Sequence, residues 1–394
     1  MKTIKAILYT YAVLFTPFIC ETHAQTINET HFVGKRDADS RTWLKVTTTQ
    51  DAKGQTHSRT NLAYIELATG MHYWEDNQWK ESKEIIEPFP DGAIARYGQH
   101  KVIFANNLNT VGAIDLQASD GKELRSHVLG LSYYDSASGN SVLIAQVKDC
   151  QGQIVGSNQV IYADAFEGAS ADVRYTYMRA GFEQDIILRA QPPSPKVYGL
   201  NPETTRLQVL TEFLNPPQPA IISRQQSTRA GVILSDNDLN FGVMKIAHGR
   251  AFLLGTEMQE SETTVSKSWM TVENRQVLVE EVPVIELADE LKQLPALSDA
   301  TKAKPHSSLG IVSAKRLLPQ PLVKVKSKSM QVARVMAPHQ GLVLDYNMVN
   351  GTLTDYTFQG DTTYYISGFA YLYGTTTLEG GAVIKYANSG PLTF

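Results

Sequence analysis

Cysteine is scarce in this 394-residue chain, which contains only Cys20 and Cys150. Cys20 falls in an N-terminal segment with the features of a cleavable export signal. The mature chain would keep Cys150 alone and could form no internal disulfide. Cys150 follows Lys148 and Asp149 in a turn-like stretch, and no histidine is placed to activate it, so we interpret it as a structural residue rather than a nucleophile.

Catalytic signatures are also missing. The sequence contains no GxSxG, HExxH or CxxC motif, no phosphate-binding loop and no dinucleotide fingerprint. Its nine histidines are dispersed, and none stands at metal-ligand spacing from another. The sequence therefore predicts no catalytic residue, no metal site and no cofactor, and an enzyme is the less favoured interpretation.

Two groups of acidic residues are candidate sites. Asp236 and Asp238 resemble the opening of a calcium loop, but the glycine and the distal glutamate that such a loop requires do not follow, so we predict a turn. Glu183 and Asp185 would share one face of a strand, as an acid/base pair must. They lie next to Gly181 in a predicted hairpin, and we expect them to be solvated charges.

Neither sign of charge dominates, since 36 Lys and Arg residues face 40 Asp and Glu residues, for a formal net charge of −4. This balance argues against a nucleic-acid partner. Charged residues make up only 19% of the chain, and beyond the N-terminal segment no apolar run is long enough to cross a membrane.

The N-terminal segment, residues 1–24, has the features of a secretory signal peptide in the correct order. Lys2 and Lys5 precede an apolar run that is too short to span a bilayer, and small residues occupy positions −3 and −1 of a cleavage site after Ala24. A lipoprotein signal is less favoured, because an isoleucine rather than a small residue precedes Cys20. We predict a secreted or cell-surface protein.

Short apolar and aromatic runs separated by turn-forming residues dominate residues 25–295, a pattern typical of strands joined by hairpins. Apolar or aromatic residues alternate with polar ones most clearly at residues 173–177, where one face of the predicted strand should be buried. Only residues 286–294 have a helical pattern. The sequence predicts a mostly β fold, with a β-sandwich or supersandwich over residues 25–295 and a break between two subdomains near residues 192–220.

Trp74 and Trp79 flank a cluster of turn-forming residues. A hairpin at this point would place the two indoles opposite each other, either as a packing pair or as an exposed platform for a sugar. We favour packing and keep Trp74 and Trp79 as the candidate glycan-binding residues. The candidate partner is an extracellular or envelope polysaccharide.

Residues 296–340 differ in composition, since eight basic residues accompany a single acidic one among Pro, Ser and Ala residues. Such a stretch is typical of a solvated linker. Binding to an acidic polymer, such as an anionic envelope glycan, is the alternative.

Near the C-terminus, apolar residues recur every six positions, and glycines follow with the same step. The apolar members are Ile366, Leu372, Leu378 and Ile384, and the glycines are Gly368, Gly374 and Gly380. This period favours the first coils of a parallel β-helix within residues 341–394, with a Gly-rich meander as the alternative. Because a stack needs about three repeats and a cap, we expect the chain to be the leading part of a longer protein. A short closing hairpin is the alternative.

Two of these C-terminal stretches, residues 361–368 and 377–386, resemble the entry coils of large secreted bacterial β-helix proteins. Residues 74–79 and 172–189 are more distantly similar to β-rich N-terminal regions of Rhs/YD-repeat-type surface proteins. The resemblance implies an exported multidomain surface protein and supplies no active-site residue. We therefore expect a non-catalytic structural or adhesive module. A carbohydrate-binding or polysaccharide-degrading protein and an Rhs-like toxin-delivery shell are the alternatives.

Overall fold

Strands make up most of the computed structural model, which describes the chain in ranges separated by gaps. The described ranges are 25–228, 230–246, 249–254, 263–272, 274–297, 329–332, 341–344, 347–348, 351–354, 356–358, 363–366, 370–378, 383–386 and 392–393. The predicted export signal and most of the predicted linker lie outside them. The mostly β prediction is confirmed, because 61% of the chain is strand and its α-helix is short.

The chain divides into two units. The first consists of the described part of residues 1–36 with Arg41–Glu66, and the second of Asp37–Ser40 with the described part of Leu67–Phe394. In the first unit, β1 (Gln25–Asp37), β2 (Ser40–Gln50) and β3 (Thr56–Leu67) form a sheet in that order. Trp43 and Tyr64 stack on it with ring centroids 5.8 Å apart.

The second unit contains the remaining strands and the helical segments. Its first fourteen strands are β4 (His72–Glu75), β5 (Gln78–Glu81), β6 (Ile86–Phe89), β7 (Gly92–Ala95), β8 (Lys101–Ala105), β9 (Ile114–Gln117), β10 (Glu123–Asp135), β11 (Ser141–Val147), β12 (Gly152–Val155), β13 (Gln159–Tyr162), β14 (Phe166–Glu167), β15 (Ala171–Tyr177), β16 (Phe182–Leu188) and β17 (Thr205–Leu214). The next eight are β18 (Ala220–Ser227), β19 (Ile233–Asn240), β20 (Lys245–Ile246), β21 (Gly249–Leu254), β22 (Thr263–Val272), β23 (Arg275–Pro283), β24 (Gln331–Val332) and β25 (Gly341–Leu344).

Helical structure in the described ranges is brief. Short 3-10 helices cover Pro195–Tyr198 and Val284–Leu287, and α1 (Ala288–Lys292) follows the second of them. The single helix predicted at residues 286–294 is therefore split between a 3-10 turn and one short α-helix. In the described residues, no helix has the length and apolar character needed to span a bilayer.

A large, nearly closed antiparallel sheet forms the body of the second unit. The long strand β10 pairs with β9 and β11 along one edge and with β17 along the other, and β17 continues to β23 and β22. A second run of strands follows the order β12-β13-β15-β16-β25-β21. Its last member, β21, pairs with the beginning of β22, while the rest of β22 pairs with β23. Because β22 takes part in both runs, it joins them.

Aromatic side chains fill the interior of this sheet. Phe104, Tyr162 and Tyr175 are fully buried in its apolar core, at strand positions whose neighbours point the other way. The two tyrosine hydroxyls have partners: Tyr162 donates to the Ala105 carbonyl, and Tyr175 donates to Gln184. The core therefore satisfies its phenols with hydrogen bonds instead of leaving them unpaired.

A separate three-stranded sheet, in the order β18-β19-β20, is inserted between β17 and β21. The chain enters it through Asn215, which has a positive φ, and the proline-rich stretch 216–219. β18 and β19 pair over their full length, from Ala220 with Asn240 to Ser227 with Ile233. We call this sheet, residues 220–246, the insert.

Three small sheets at the C-terminal end have parallel pairing. Their strands are β26 (Asn347–Met348), β27 (Gly351–Thr354), β28 (Thr357–Phe358), β29 (Thr363–Ile366), β30 (Ala370–Tyr373), β31 (Thr377–Leu378), β32 (Val383–Tyr386) and β33 (Leu392–Thr393). The sheet orders are β26-β29-β32, β27-β30-β33 and β28-β31. The four apolar residues of the six-residue repeat fall on four successive strands, β29 to β32. At the start of the predicted repeat region, β25 pairs with β16 and β21 in the large sheet.

Candidate functional site

The two candidate tryptophans lie on a tight hairpin formed by β4 and β5. Asp76 and Asn77 connect the strands, and both have positive φ, 51° and 61°. Two left-handed residues in a two-residue connection match a type I′ turn, whose twist agrees with that of the flanking strands. The turn sets the register, so that Trp74 pairs directly with Trp79. The sequence prediction of a hairpin with the two indoles opposite each other is confirmed.

The indole pair has one packed and one open member. The ring centroids of Trp74 and Trp79 lie 5.1 Å apart at an interplanar angle of 73°, an edge-to-face arrangement. Trp74 is 56% exposed, whereas Trp79 is only partly exposed. The side chain of the preceding residue, Tyr73, points to the opposite face of the hairpin and is buried. The hairpin is therefore anchored through one face and displays Trp74 on the other.

The charged side chains of this hairpin lie on the face opposite the indoles, since Glu75 and Lys80 directly follow Trp74 and Trp79 along their strands. Lys80 Nζ lies 2.9 Å from Glu75 Oε2 and also donates to Asp76. The hydrogen bonds to Asp76 and Glu75 raise the pKa of Lys80 above its ordinary value. We call this arrangement, with an indole open on one face and ion pairs on the other, the tryptophan hairpin (residues 72–81).

Sequence reasoning missed a second polar group, which lies inside the protein. Lys267 Nζ is 3.0 Å from Asp236 Oδ1, and the backbone N–H of Lys267 donates to the same oxygen at 2.8 Å. Both residues are 1% exposed. Glu280 on β23 is the direct cross-strand neighbour of Lys267 on β22. We call these three residues the inner charged cluster.

The carboxyl of Glu280 has a raised pKa in this cluster. Burial raises the pKa of its carboxyl to about 7; the positive charge of Lys267 opposes the increase, while Asp185 and Asp236 add to it. Glu280 can therefore gain or lose a proton near neutral pH, which an ordinary glutamate does not do.

A third charged group joins β10, β17 and β23. His127 Nε2 lies 2.9 Å from Glu212 Oε2, and Arg275 Nε donates to Glu212 Oε1 at 2.7 Å. Burial acts to raise the pKa of Glu212, but the hydrogen bonds from Arg275 and His127 outweigh it and lower the pKa to about 2. Because the Gly112 N–H donates to His127 Nδ1, that nitrogen is an acceptor and Nε2 carries the proton.

The two acidic groups considered from the sequence differ from the predictions, the first in its secondary structure and the second in its burial. The turn predicted at Asp236 and Asp238 is wrong, since both lie within β19 and are buried. Glu183 and Asp185 do not behave as solvated charges: both are buried on β16, and Asp185 accepts from Arg174 at 2.7 Å. Short polar stretches rich in acidic residues are typical of turns. The cation that pairs with Asp236 lies 31 residues away at Lys267, whereas the partner of Asp185 lies on the adjacent strand.

No group of three or more His, Cys, Asp and Glu side chains suited to a metal ion occurs in the described part of the chain. Cys150 is buried, and its Sγ donates to the Ala163 carbonyl. Burial raises the pKa of this thiol to about 11, with the negative charges of Asp164 and Asp172 adding to the effect. The reactive thiolate is therefore scarce at neutral pH.

Comparisons with protein-family models, with curated proteins and with solved structures found no match to this chain. The geometry of the tryptophan hairpin and of the inner charged cluster is thus the basis for assigning a function.

Proposed function

We propose that this chain is a non-catalytic adhesive module of an exported surface protein, and that it contacts extracellular polysaccharide through the tryptophan hairpin. The observation that carries the proposal is the open indole of Trp74, held edge-to-face against Trp79 at the tip of a rigid turn. A large exposed aromatic ring on a rigid element loses little entropy on binding, and the apolar face of a pyranose ring is a complementary surface.

Ion pairs on the opposite face of the hairpin support the position of this ring. Lys80 pairs with Glu75 and with Asp76, which links β5 to β4 and to the turn. A ring held on such a hairpin loses little conformational freedom when a sugar stacks on it.

Export supports the same function. The predicted signal peptide at residues 1–24 would place the protein outside the cytoplasm, where structural polysaccharides are found. We also infer that residues 347–393 form coils of a parallel β-helix. In support, Gly351 pairs in parallel with Ala370, which pairs in turn with Leu392, and Phe358 pairs with Leu378.

Binding of the mature chain to an array of plant, bacterial and animal polysaccharides tests this proposal, followed by titration calorimetry on the polysaccharide that binds best. We expect Trp74→Ala to weaken binding by about five- to thirtyfold, because the loss of one stacked ring costs about 1–2 kcal/mol. Tyr64→Ala is the matched control: Tyr64 is an exposed aromatic residue on a strand of the first unit, and its removal should leave the affinity unchanged.

Two results would contradict the proposal. The first is equal binding by wild type and Trp74→Ala. The second is release of unsaturated or reducing sugar ends from the bound polysaccharide, which would make the protein a polysaccharide-degrading enzyme, the main alternative.

A further inference from the structure

The sheet of the first unit has long strands and no buried core. Its strands have 13, 11 and 12 residues, yet none of the side chains described between residues 28 and 66 is buried. Phe32, Leu62 and Tyr64 are 45%, 60% and 52% exposed. A sheet gains stability by adding strands or by covering an apolar face. Further strands would therefore stabilise the sheet of the first unit.

The first strand, β1, offers a free edge for such strands. In the described part of the chain, the order β1-β2-β3 leaves one side of β1 without a neighbour, and unpaired backbone N–H and C=O groups lie along such an edge. Every residue from position 28 to position 36 except Val33 is exposed. This stretch also lacks proline, a residue that blocks pairing at many natural sheet edges. An antiparallel strand can therefore pair with β1.

The sequence of β1 is complementary to itself in the antiparallel direction. Glu29 lies three residues before Phe32, and Lys35 lies three residues after it. When two copies pair about a two-fold axis through Phe32, Glu29 of each copy lies opposite Lys35 of the other, so the favourable contact occurs twice. Within its own sheet, Glu29 already lies 2.8 Å from Lys45 on β2. Its carboxylate would therefore lie between two cations.

The neighbouring registers lack this match. Residues that face each other across two strands must point to the same side of the sheet, so the two-fold axis has to pass through a residue. An axis through Val33 would place Glu29 opposite Asp37, which are two carboxylates. An axis through His31 would place Glu29 opposite Val33, which carries no charge. Charge complementarity therefore selects the register centred on Phe32.

We propose that two copies of this chain dimerise by pairing their β1 strands antiparallel, with Phe32 on the two-fold axis. Two three-stranded sheets then become one continuous sheet in the order β3-β2-β1-β1-β2-β3. The assembly closes at two copies, because both use the same surface. The dimer also joins two tryptophan hairpins, so a polysaccharide with repeating units is held at two points. That last consequence rests on the proposed function, whereas the dimer does not.

Size-exclusion chromatography with light scattering tests the dimer on the mature chain, without polysaccharide, at concentrations up to about 0.1 mM. We expect wild type to change from monomer to dimer within this range. Lys35→Glu should raise the dissociation constant by about ten- to a hundredfold, because two like-charge contacts replace two opposite-charge contacts. Lys53→Glu is the matched control: Lys53 is exposed in the connection between β2 and β3, and the same charge change there should leave the dimer intact.

Exchange of the two charges identifies the contact itself. Glu29→Lys alone should also weaken the dimer, whereas a mixture of Glu29→Lys with Lys35→Glu restores both opposite-charge contacts and should form a heterodimer. Native mass spectrometry distinguishes that heterodimer from either homodimer. A wild type that remains monomeric throughout the range would overturn the proposal, as would a dimer that Lys35→Glu leaves intact.

A disulfide test decides the question if Glu29→Lys fails to fold. Residue 32 faces its own copy across the axis, so oxidised Phe32→Cys should form a disulfide-linked dimer. Cys150 is buried and does not compete. Leu62→Cys is the control, because Leu62 is an exposed residue on β3, at the other edge of the sheet. Linkage through Leu62→Cys that equals or exceeds linkage through Phe32→Cys would refute pairing through β1.

Discussion

Replacing Lys267 by methionine should strongly destabilise the fold, because it removes the cation of a buried ion pair with Asp236. Both side chains are 1% exposed and their charged atoms are 3.0 Å apart. Removal of one member of such a pair typically costs about 3–5 kcal/mol, since the remaining charge is buried without compensation. The loss is a large share of the usual 5–15 kcal/mol stability of a domain.

The double variant Asp236→Asn with Lys267→Met should recover most of that loss. The amide oxygen of an asparagine at position 236 can still accept from the backbone N–H of residue 267, a contact of 2.8 Å in the wild type, and no charge remains buried at this pair. Well-packed neutral replacements of buried ion pairs are often close to neutral in stability. We therefore expect the free energy of unfolding of the double variant to be within about 2 kcal/mol of the wild-type value, a smaller loss than that of Lys267→Met alone.

Urea denaturation followed by circular dichroism gives the free energies of unfolding of wild type, of Lys267→Met and Asp236→Asn alone, and of the double variant. The measurement belongs at pH 5.5, below the pKa of Glu280, so that this neighbour is neutral in all variants. A loss below about 1 kcal/mol for Lys267→Met would refute the reasoning, because a buried charge cannot lose its partner at so small a cost. A double variant as unstable as the sum of its single variants would refute it equally, since no coupling would then exist.

Two further predictions concern other parts of the large sheet. Because the pKa of Glu212 is lowered to about 2, ionisation of this residue should contribute about 3 kcal/mol to the free energy of unfolding. The contribution is fully present above pH 4.5 and is lost as the pH falls toward 2. Thermal melts across this range should show the loss in wild type and not in Glu212→Gln. Gly92→Ala should lower the free energy of unfolding, measured by urea titration, by about 1–3 kcal/mol, because the added Cβ would lie 1.8 Å from the Phe104 carbonyl oxygen. Gly181→Ala is its control, since the Cβ there would approach nothing closer than 4.0 Å, and equal losses in both variants would contradict the steric explanation.

Local features of the fold could be predicted from the sequence. Asp76 and Asn77 tolerate positive φ, which places the tryptophans opposite each other as expected. The alternation at residues 173–177 identifies a strand, with Tyr175 in the core. These predictions succeed because turn chemistry and the two-residue period of a strand are encoded within a few neighbouring residues.

The inner charged cluster could not be predicted in this way. Asp236 and Lys267 are 31 residues apart in the sequence, and Glu280 lies on a third strand. Each of the three is a charged residue of a type that is usually found on the surface. The burial of Asp236 and Lys267 depends on how the insert packs against β22, a long-range contact without a local signal. Asp185 differs, because its partner Arg174 lies on the preceding strand of the same hairpin; the sequence predicts that hairpin but not the burial of the ion pair.

The position of β25 has a consequence for how the chain reaches its folded state. This four-residue strand lies between β16 and β21, pairing with residues 186–188 on one side and with Ala251–Leu254 on the other. It comes about 150 residues after β16 in the sequence, and contacts this distant are formed late and slowly. Until residues 341–344 have been synthesised, β16 and β21 have no strand between them. Residues 341–344 must therefore leave the ribosome before the large sheet can be completed.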